Sequence, residues 1–372
     1  HYQSGSKLSF TNDASLLLPS HVYRDEYMVM TRGTTKLTDS TGLSTMIRPG
    51  FVAIVGVEGG TTRLGVNSSA HTMPSDIYSN TAYPPLVPGL TANIDIEPYE
   101  VLQILSAGEP GCTDLAECDN GDTLHQCCNA PPEYDLTGTM IKVMSGPNPA
   151  VFAGTVMSFV PYNVWAADHL EEQMPPLETW GAHYLCAHTV TQAAGEPSVW
   201  RVLSGSDNNA ITFNPASVND AVTLAKGEYI EFESLADFEV TSEGRTSIGQ
   251  FMVGQNYTAA PPNLGDPSMT LAVPVEQYQR SYTFLAPGTY VYNYITVTHR
   301  NGAFPLLDGD PVAGDTVDIT AEYARTNMTI DAGIHHIQSD EPFGLQVYGV
   351  GTSTSYMYPG GLGLKRVSVP VE

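Results

Sequence analysis

Apolar and polar residues alternate along this chain in short runs, broken every few positions by Gly, Pro, Asn or Asp, and no long stretch keeps helical spacing. That pattern predicts an all-β protein rich in turns. One phrase punctuates the runs three times: a proline, an aromatic residue four positions on, and a tyrosine four positions after that. The copies are Pro19-Tyr23-Tyr27, Pro176-Trp180-Tyr184 and Pro274-Tyr278-Tyr282, leading into the strand-like runs MVMT, LCAHT and TFLA. A fixed phrase heading a strand three times predicts an internal triplication. The expected architecture is three tandem β-sandwich-like modules. Each begins at a seam where Pro stops the preceding chain, the aromatic packs, and Tyr27, Tyr184 or Tyr282 opens the first strand.

The modules are expected at 17–163, 164–270 and 271–372, after an N-terminal extension of 1–16. In the first, strands are expected at 26–31, 50–57, 62–66, 92–96, 101–106, 139–144 and 155–160. GluGlyGly at 58–60, SGSDNN at 204–209 and ArgAsnGly at 300–302 supply a hairpin turn at matching places in the three modules. The interval from Tyr27 to Tyr184 exceeds that from Tyr184 to Tyr282 by 59 residues, which places insertions in the first module. Their expected locations are 69–88 and the cysteine-bearing loop 107–133. In the third module, the alternation from Tyr290 to Tyr294 predicts a half-buried strand.

Four of the five cysteines, Cys112, Cys118, Cys127 and Cys128, fall in that loop. Their spacing does not match the paired Cys-x-x-Cys signature of zinc, so they read as a disulfide staple formed in an oxidising compartment. The adjacent Cys127 and Cys128 each reach back to Cys112 or Cys118, in either pairing. Cys186, in a strand, reads as a buried free thiol.

Charge narrows the classes of partner. Forty acids against 15 bases leave a net charge of -25, which disfavours nucleic acid and anionic membranes, since binding either requires Lys and Arg. No apolar run approaches the roughly 18 residues of a membrane helix. The acidity suits a secreted protein, a high-salt habitat or calcium binding. Asp114, Asp119 and Asp122 in the cysteine loop, and Asp308 and Asp310 in LDGDPVAGDTVD, are the calcium candidates; solvated loop charge is the plainer reading. His169, Glu171, Glu172 and Glu178 form the densest His and acid group, but lack HExxH spacing and read as linker packing, with Asp168 capping a short turn. A copper site on His1 with His71, His183 or His299 has no other supporting motif. No GxSxG elbow or phosphate loop occurs, so no catalytic constellation is expected. Three sequons begin at Asn67, Asn256 and Asn327.

Several stretches together carry a resemblance: DLTGTMIKV at 135–143, VFAGTVMSFVPYN at 151–163, DHLEEQMPPLETWG at 168–181, GDPSMTLAVPVEQYQRSYTFLAP at 265–287 and FGLQVYGVGTSTSYMYPGGLGLK at 343–365. The chain resembles the IgGFc-binding protein N-terminal domain family, especially its bacterial members, over nearly its whole length. That resemblance implies a non-enzymatic extracellular or cell-surface binding or adhesion protein. It also implies one missing disulfide, because Met157 and Ala167 stand where bacterial members often carry cysteines. The expected partner is an extracellular protein or glycan. The alternative is a structural subunit of a self-assembling filament or layer, with Leu8, Phe10, Val367 and Val369 in terminal segments that add as strands to another copy.

Overall fold

The computed structural model describes residues 13–39, 45–75, 82–119, 124–258 and 264–367. Regular structure among them is β-strand throughout, apart from four single 3-10 turns. The chain first forms β1 (Glu26–Met28), β2 (Thr35–Asp39), β3 (Thr45–Arg48), β4 (Gly50–Val55), β5 (Thr62–Asn67), β6 (Thr91–Ile96), β7 (Val101–Leu105), β8 (Leu115–Asp119), β9 (Leu124–Cys128), β10 (Met140–Ser145), β11 (Ala150–Phe159) and β12 (Ala167–Gln173). A second run comprises β13 (Gly181–Cys186), β14 (Ser198–Ser204), β15 (Asn209–Asn214), β16 (Val222–Leu224), β17 (Tyr229–Ser234), β18 (Phe238–Met252) and β19 (Ser268–Leu271). The third has β20 (Gln279–Ala286), β21 (Tyr292–Arg300), β22 (Leu306–Leu307), β23 (Asp310–Pro311), β24 (Asp315–Asp318), β25 (Tyr323–Ile330), β26 (Gly333–Gly351) and β27 (Thr354–Pro359).

One antiparallel pairing scheme recurs in the three runs. β18 takes β13 and β15 along its first half and β14 and β19 along its second, with β17 outside β14 and β16 outside β15. β26 takes β20 and β22, then β21 and β27, with β25 outside β21 and β23 outside β22; β24 is an addition beyond β25. In the first run the long strand is split by GPNP at 146–149. Its first piece, β10, takes β1 and β5, and its second, β11, takes β4 and β12, with β7 outside β4 and β6 outside β5. The hairpin turn at 58–60 joins β4 to β5 through Gly59 and Gly60 at φ 122° and 118°, values that side-chain-bearing residues rarely adopt.

The proline phrase has one geometry in all three runs. Pro19, Pro176 and Pro274 each precede a 3-10 turn that ends at Tyr23, Trp180 or Tyr278. The closing tyrosine then ties this corner to the long strand. Its hydroxyl accepts the N–H of the residue three positions back, Arg24 at 3.0 Å, Gly181 at 3.3 Å and Gln279 at 2.8 Å. It donates to a carbonyl where the long strand breaks or bends: Pro149 for Tyr27, Thr246 for Tyr184 and Phe343 for Tyr282. All three rings are buried, so leaving these groups unbonded would be costly. The tyrosines lie inside β1, β13 and β20 rather than opening them.

Several boundaries differ from those read in the sequence. DHLEEQ is not a linker. It is β12, which pairs with β11, so the first unit runs to Gln173 and not to residue 163. Asp168 accordingly caps no turn; its Oδ1 accepts the N–H of His169 at 2.7 Å within the strand. Strand β21 is buried from Asn293 to His299, not half-buried, because the second unit covers its outer face: Tyr294 packs with Met252 while Ile295 lies in the third unit's own core. The first unit holds a further insertion, the hairpin β2–β3. It joins β8–β9 in a separate sheet ordered β3-β2-β9-β8, so the cysteine region is a hairpin rather than an irregular loop.

The units are fused by their cores. The main apolar cluster of the first unit continues into Trp180, Val199, Leu203, Phe251, Met269 and Leu271 of the second. The second and third units share a cluster of Leu185, Ala187, Tyr278, Ile319 and Tyr323.

Candidate binding cleft under the disulfide flap

The disulfide sheet stands off the first sandwich and faces the second unit. Cys112 bonds Cys128 and Cys118 bonds Cys127, so the C-terminal end of β9 is tied to β8 and to the segment before β8. Cys118, Cys127, Leu37, Met157 and Phe159 form a small core that anchors this flap to the end of β11. Between the flap and the second unit lies a cavity of about 410 Å³. Its walls come from 32–36, from 127–132 behind β9, from Ser158, Phe159 and Tyr162, and from Arg201, Tyr229 and Glu231 across the seam.

An ionic ladder forms the floor, with Arg32, Asp135 and Arg201 buried and Glu231 reaching the surface. Arg201 on β14 and Glu231 on β17 are directly opposed in register, and Tyr229, two residues before Glu231, shares its face. The Arg201 guanidinium lies 4.3 Å over the Tyr229 ring and reaches Asp135 Oδ2 at 2.7 Å, Glu231 Oε2 at 2.8 Å, Thr137 Oγ1 at 2.7 Å and the Thr31 carbonyl at 2.6 Å. Arg32 of the first unit completes the ladder as a fork on Glu231, at 2.8 and 3.1 Å. Burial opposes ionisation of Asp135, but Arg201 and the hydroxyls of Thr31 and Thr137 outweigh it and hold the carboxyl below the usual carboxylate range. Glu231 is depressed in the same way, burial being overcome by Arg32 and Arg201. Burial and the neighbouring Asp135 push the Tyr229 phenol up, keeping it a donor toward Asp135 at 3.3 Å. Two arginines thus balance two carboxylates, and the floor is neutral.

The other sequence candidates do not converge. Asp114 is at the cleft, where it accepts from Asn129 Nδ2 at 2.9 Å; Asp122 and the side chain of Asp119 lie outside the described residues. Asp308 is occupied by His335 Nδ1 at 2.7 Å and the His336 N–H at 2.8 Å, while Asp310 is exposed on β23. Cys112 and Cys128 lie near Glu109, but their sulfurs are bonded to each other and offer no thiolate to a metal. His169 contacts Glu171 at 3.3 Å and stacks on Phe51, Glu172 is buried toward Ser15, and Glu178 holds Arg24 at 2.7 Å. His71 packs on Tyr134, His183 on Glu239 and His299 on Thr326, with His1 outside the described residues. The Cys186 thiol is buried and its pKa raised, by burial first and then by Asp237. Val367 is buried, and its N–H bonds the Glu178 carbonyl of its own chain at 3.0 Å; Leu8, Phe10 and Val369 lie outside the described residues.

The family described as IgGFc binding protein matches residues 13–349, nearly the whole chain. The chain belongs to the IgGFc binding protein family. The match takes in the first two units, the disulfide flap and the third unit as far as residue 349, so the cleft lies wholly within the family's span. No curated protein and no solved structure matches the chain. Among the described residues no helix is long and apolar enough to cross a membrane.

The residues of the cleft floor were missed in the sequence because each lies alone in it. Arg32, Asp135, Arg201 and Glu231 occur in four unconnected segments. The one available signal was rarity: with only 15 Lys and Arg in 372 residues, an Arg in the middle of the apolar run VWRVL is conspicuous.

Proposed function

We propose that this protein is a non-enzymatic extracellular binding module and that the cleft under the disulfide flap is its ligand-contacting surface. The observation that carries this reading is the cavity itself: a space of about 410 Å³ at a junction of units, with a floor set by fixed ion pairs and a wall stapled by two disulfides. Binding sites favour such concave, largely preformed places between packed units. Membership of a family described by binding supports a binding role, and the disulfides fit an oxidising compartment outside the cell. We read the recurrent strand pairing as an internal triplication that supplies the scaffold, with the flap as the addition peculiar to the first unit.

Thr113 is exposed at the cleft, so Thr113→Trp fills the mouth without disturbing the core. Arrays of extracellular proteins and glycans probed with the wild type should show ligands that the variant loses while its melting temperature is unchanged. Ligands bound equally by both proteins would remove the cleft from the function.

A further inference from the structure

On its flap side the cleft presents two carboxylates and one ammonium, from Glu109, Asp114 and Lys36. In sequence, 107–133 hold six Asp and Glu and no Lys or Arg. Glu109 and Asp114 line the cavity itself. On the opposite wall, Arg32 and Arg201 are already matched by Glu231 and Asp135, so they offer no net positive charge to a ligand. Lys36 lines the cavity too, and its ammonium is directed to the Glu109 carbonyl at 2.8 Å. The space between is bordered by the half-buried ring of Tyr162, which neighbours Asp114.

We infer that the cleft takes a cationic, Lys- or Arg-bearing peptide segment of an extracellular protein partner, held between the acidic flap and the neutral arginine–carboxylate floor. This rests on the cleft being the binding surface. Three features favour that occupant. An anionic ligand would meet the Glu109 and Asp114 carboxylates, which outnumber the single Lys36 ammonium on that side. A guanidinium or ammonium would find acceptors in Glu109 and Asp114 and an aromatic face in Tyr162. The net charge of -25 steers cations toward the molecule from beyond contact distance and gives association a strong dependence on salt.

The probes are oligoarginine and oligolysine peptides, with a neutral oligosaccharide series alongside, titrated against wild type, Glu109→Gln, Asp114→Asn, the double variant and Thr113→Trp. Asp310→Asn with Asp318→Asn, both exposed on the third unit, controls for diffuse charge. Cationic peptides should bind the wild type and weaken as salt rises. Each cleft neutralisation should cost about two- to fivefold in affinity, Thr113→Trp should abolish binding, and the control pair should leave it unchanged. Equal losses from the cleft and control variants, or no peptide binding, would overturn the inference. A neutral saccharide blocked by Thr113→Trp but indifferent to salt and to both neutralisations would overturn it too, while leaving the cleft as the binding surface. Melting curves and intact-disulfide masses establish that each variant is folded.

Discussion

Replacing Arg201 by Met tests whether the ionic ladder locks the second unit to the first. The side chain is only 5% exposed, and its four acceptors come from both units: Glu231 from the second, and Asp135, Thr137 and the Thr31 carbonyl from the first. Met fills much of the volume but leaves Asp135, 2% exposed, without a cation. Removing one partner of a buried pair typically costs about 3–5 kcal/mol, and so large a loss is a sizeable part of a whole domain's stability. The assay is urea unfolding followed by Trp fluorescence, since Trp200 is the buried neighbour of Arg201 on β14. The pH dependence has a definite sign. Asp135 is depressed in the folded wild type, so its contribution is complete above the carboxylate's unfolded pKa and fades as pH falls through the lower folded value. In the variant the hydrogen bonds from Thr31 and Thr137 still oppose burial but the Arg201 charge does not, so Asp135 takes up a proton more readily than in the wild type. The stability gap between the two proteins should therefore narrow in acid, and Asp135→Asn in the Met background should recover part of the loss. A cost below about 1 kcal/mol, typical of an exposed pair, or a gap that does not change with pH, would refute the interlock.

Four other outcomes follow from the same geometry. Tyr27→Phe, Tyr184→Phe and Tyr282→Phe should each lose about 1–3 kcal/mol, because each leaves a carbonyl and an N–H unbonded at an equivalent corner; unrelated costs in chemical denaturation would separate the three corners. Half-buried Asp13 and buried Glu172 lie together where the segment at 13–18 crosses β12 and β19, and desolvation raises both carboxyls well above their usual range. Their protonated forms are favoured by folding, so protection of 13–18 from hydrogen exchange should be full in acid and fall as pH rises through the folded values; Glu172→Gln should flatten that slope. Cys118→Ser with Cys127→Ser opens a bridge of sequence separation 9. About 3 kcal/mol of loop-closure restraint is lost, so proteolysis should cut within 107–133 while the remaining strands stay intact. In a glycosylating host Asn256, which is exposed, should carry glycan and Asn327 should not, since it is buried and bonded to Thr296 and His188; peptide mass mapping decides.

Local chemistry determined much of the fold in advance. Each Pro–aromatic–Tyr phrase closes a 3-10 turn and an N–H to hydroxyl bond within nine residues, so its form is written in a short segment and reads the same wherever it occurs. Hairpin turns at 58–60 and 300–302, and the clustering of four cysteines, are legible for the same reason. DHLEEQ and TKLTD are recognised as strands only through their partners, because a strand's hydrogen bonds lie on another segment. The tertiary structure alone returned β12 to β11 and joined β2 to β9. It alone brought Arg32 to Glu231, 199 residues away, and Asp135 to Arg201, 66 residues away. Charge pairing of that kind has no period and no spacing to read. It is decided by which surfaces the three fused units press together, and there the flap and the second unit enclose the cleft.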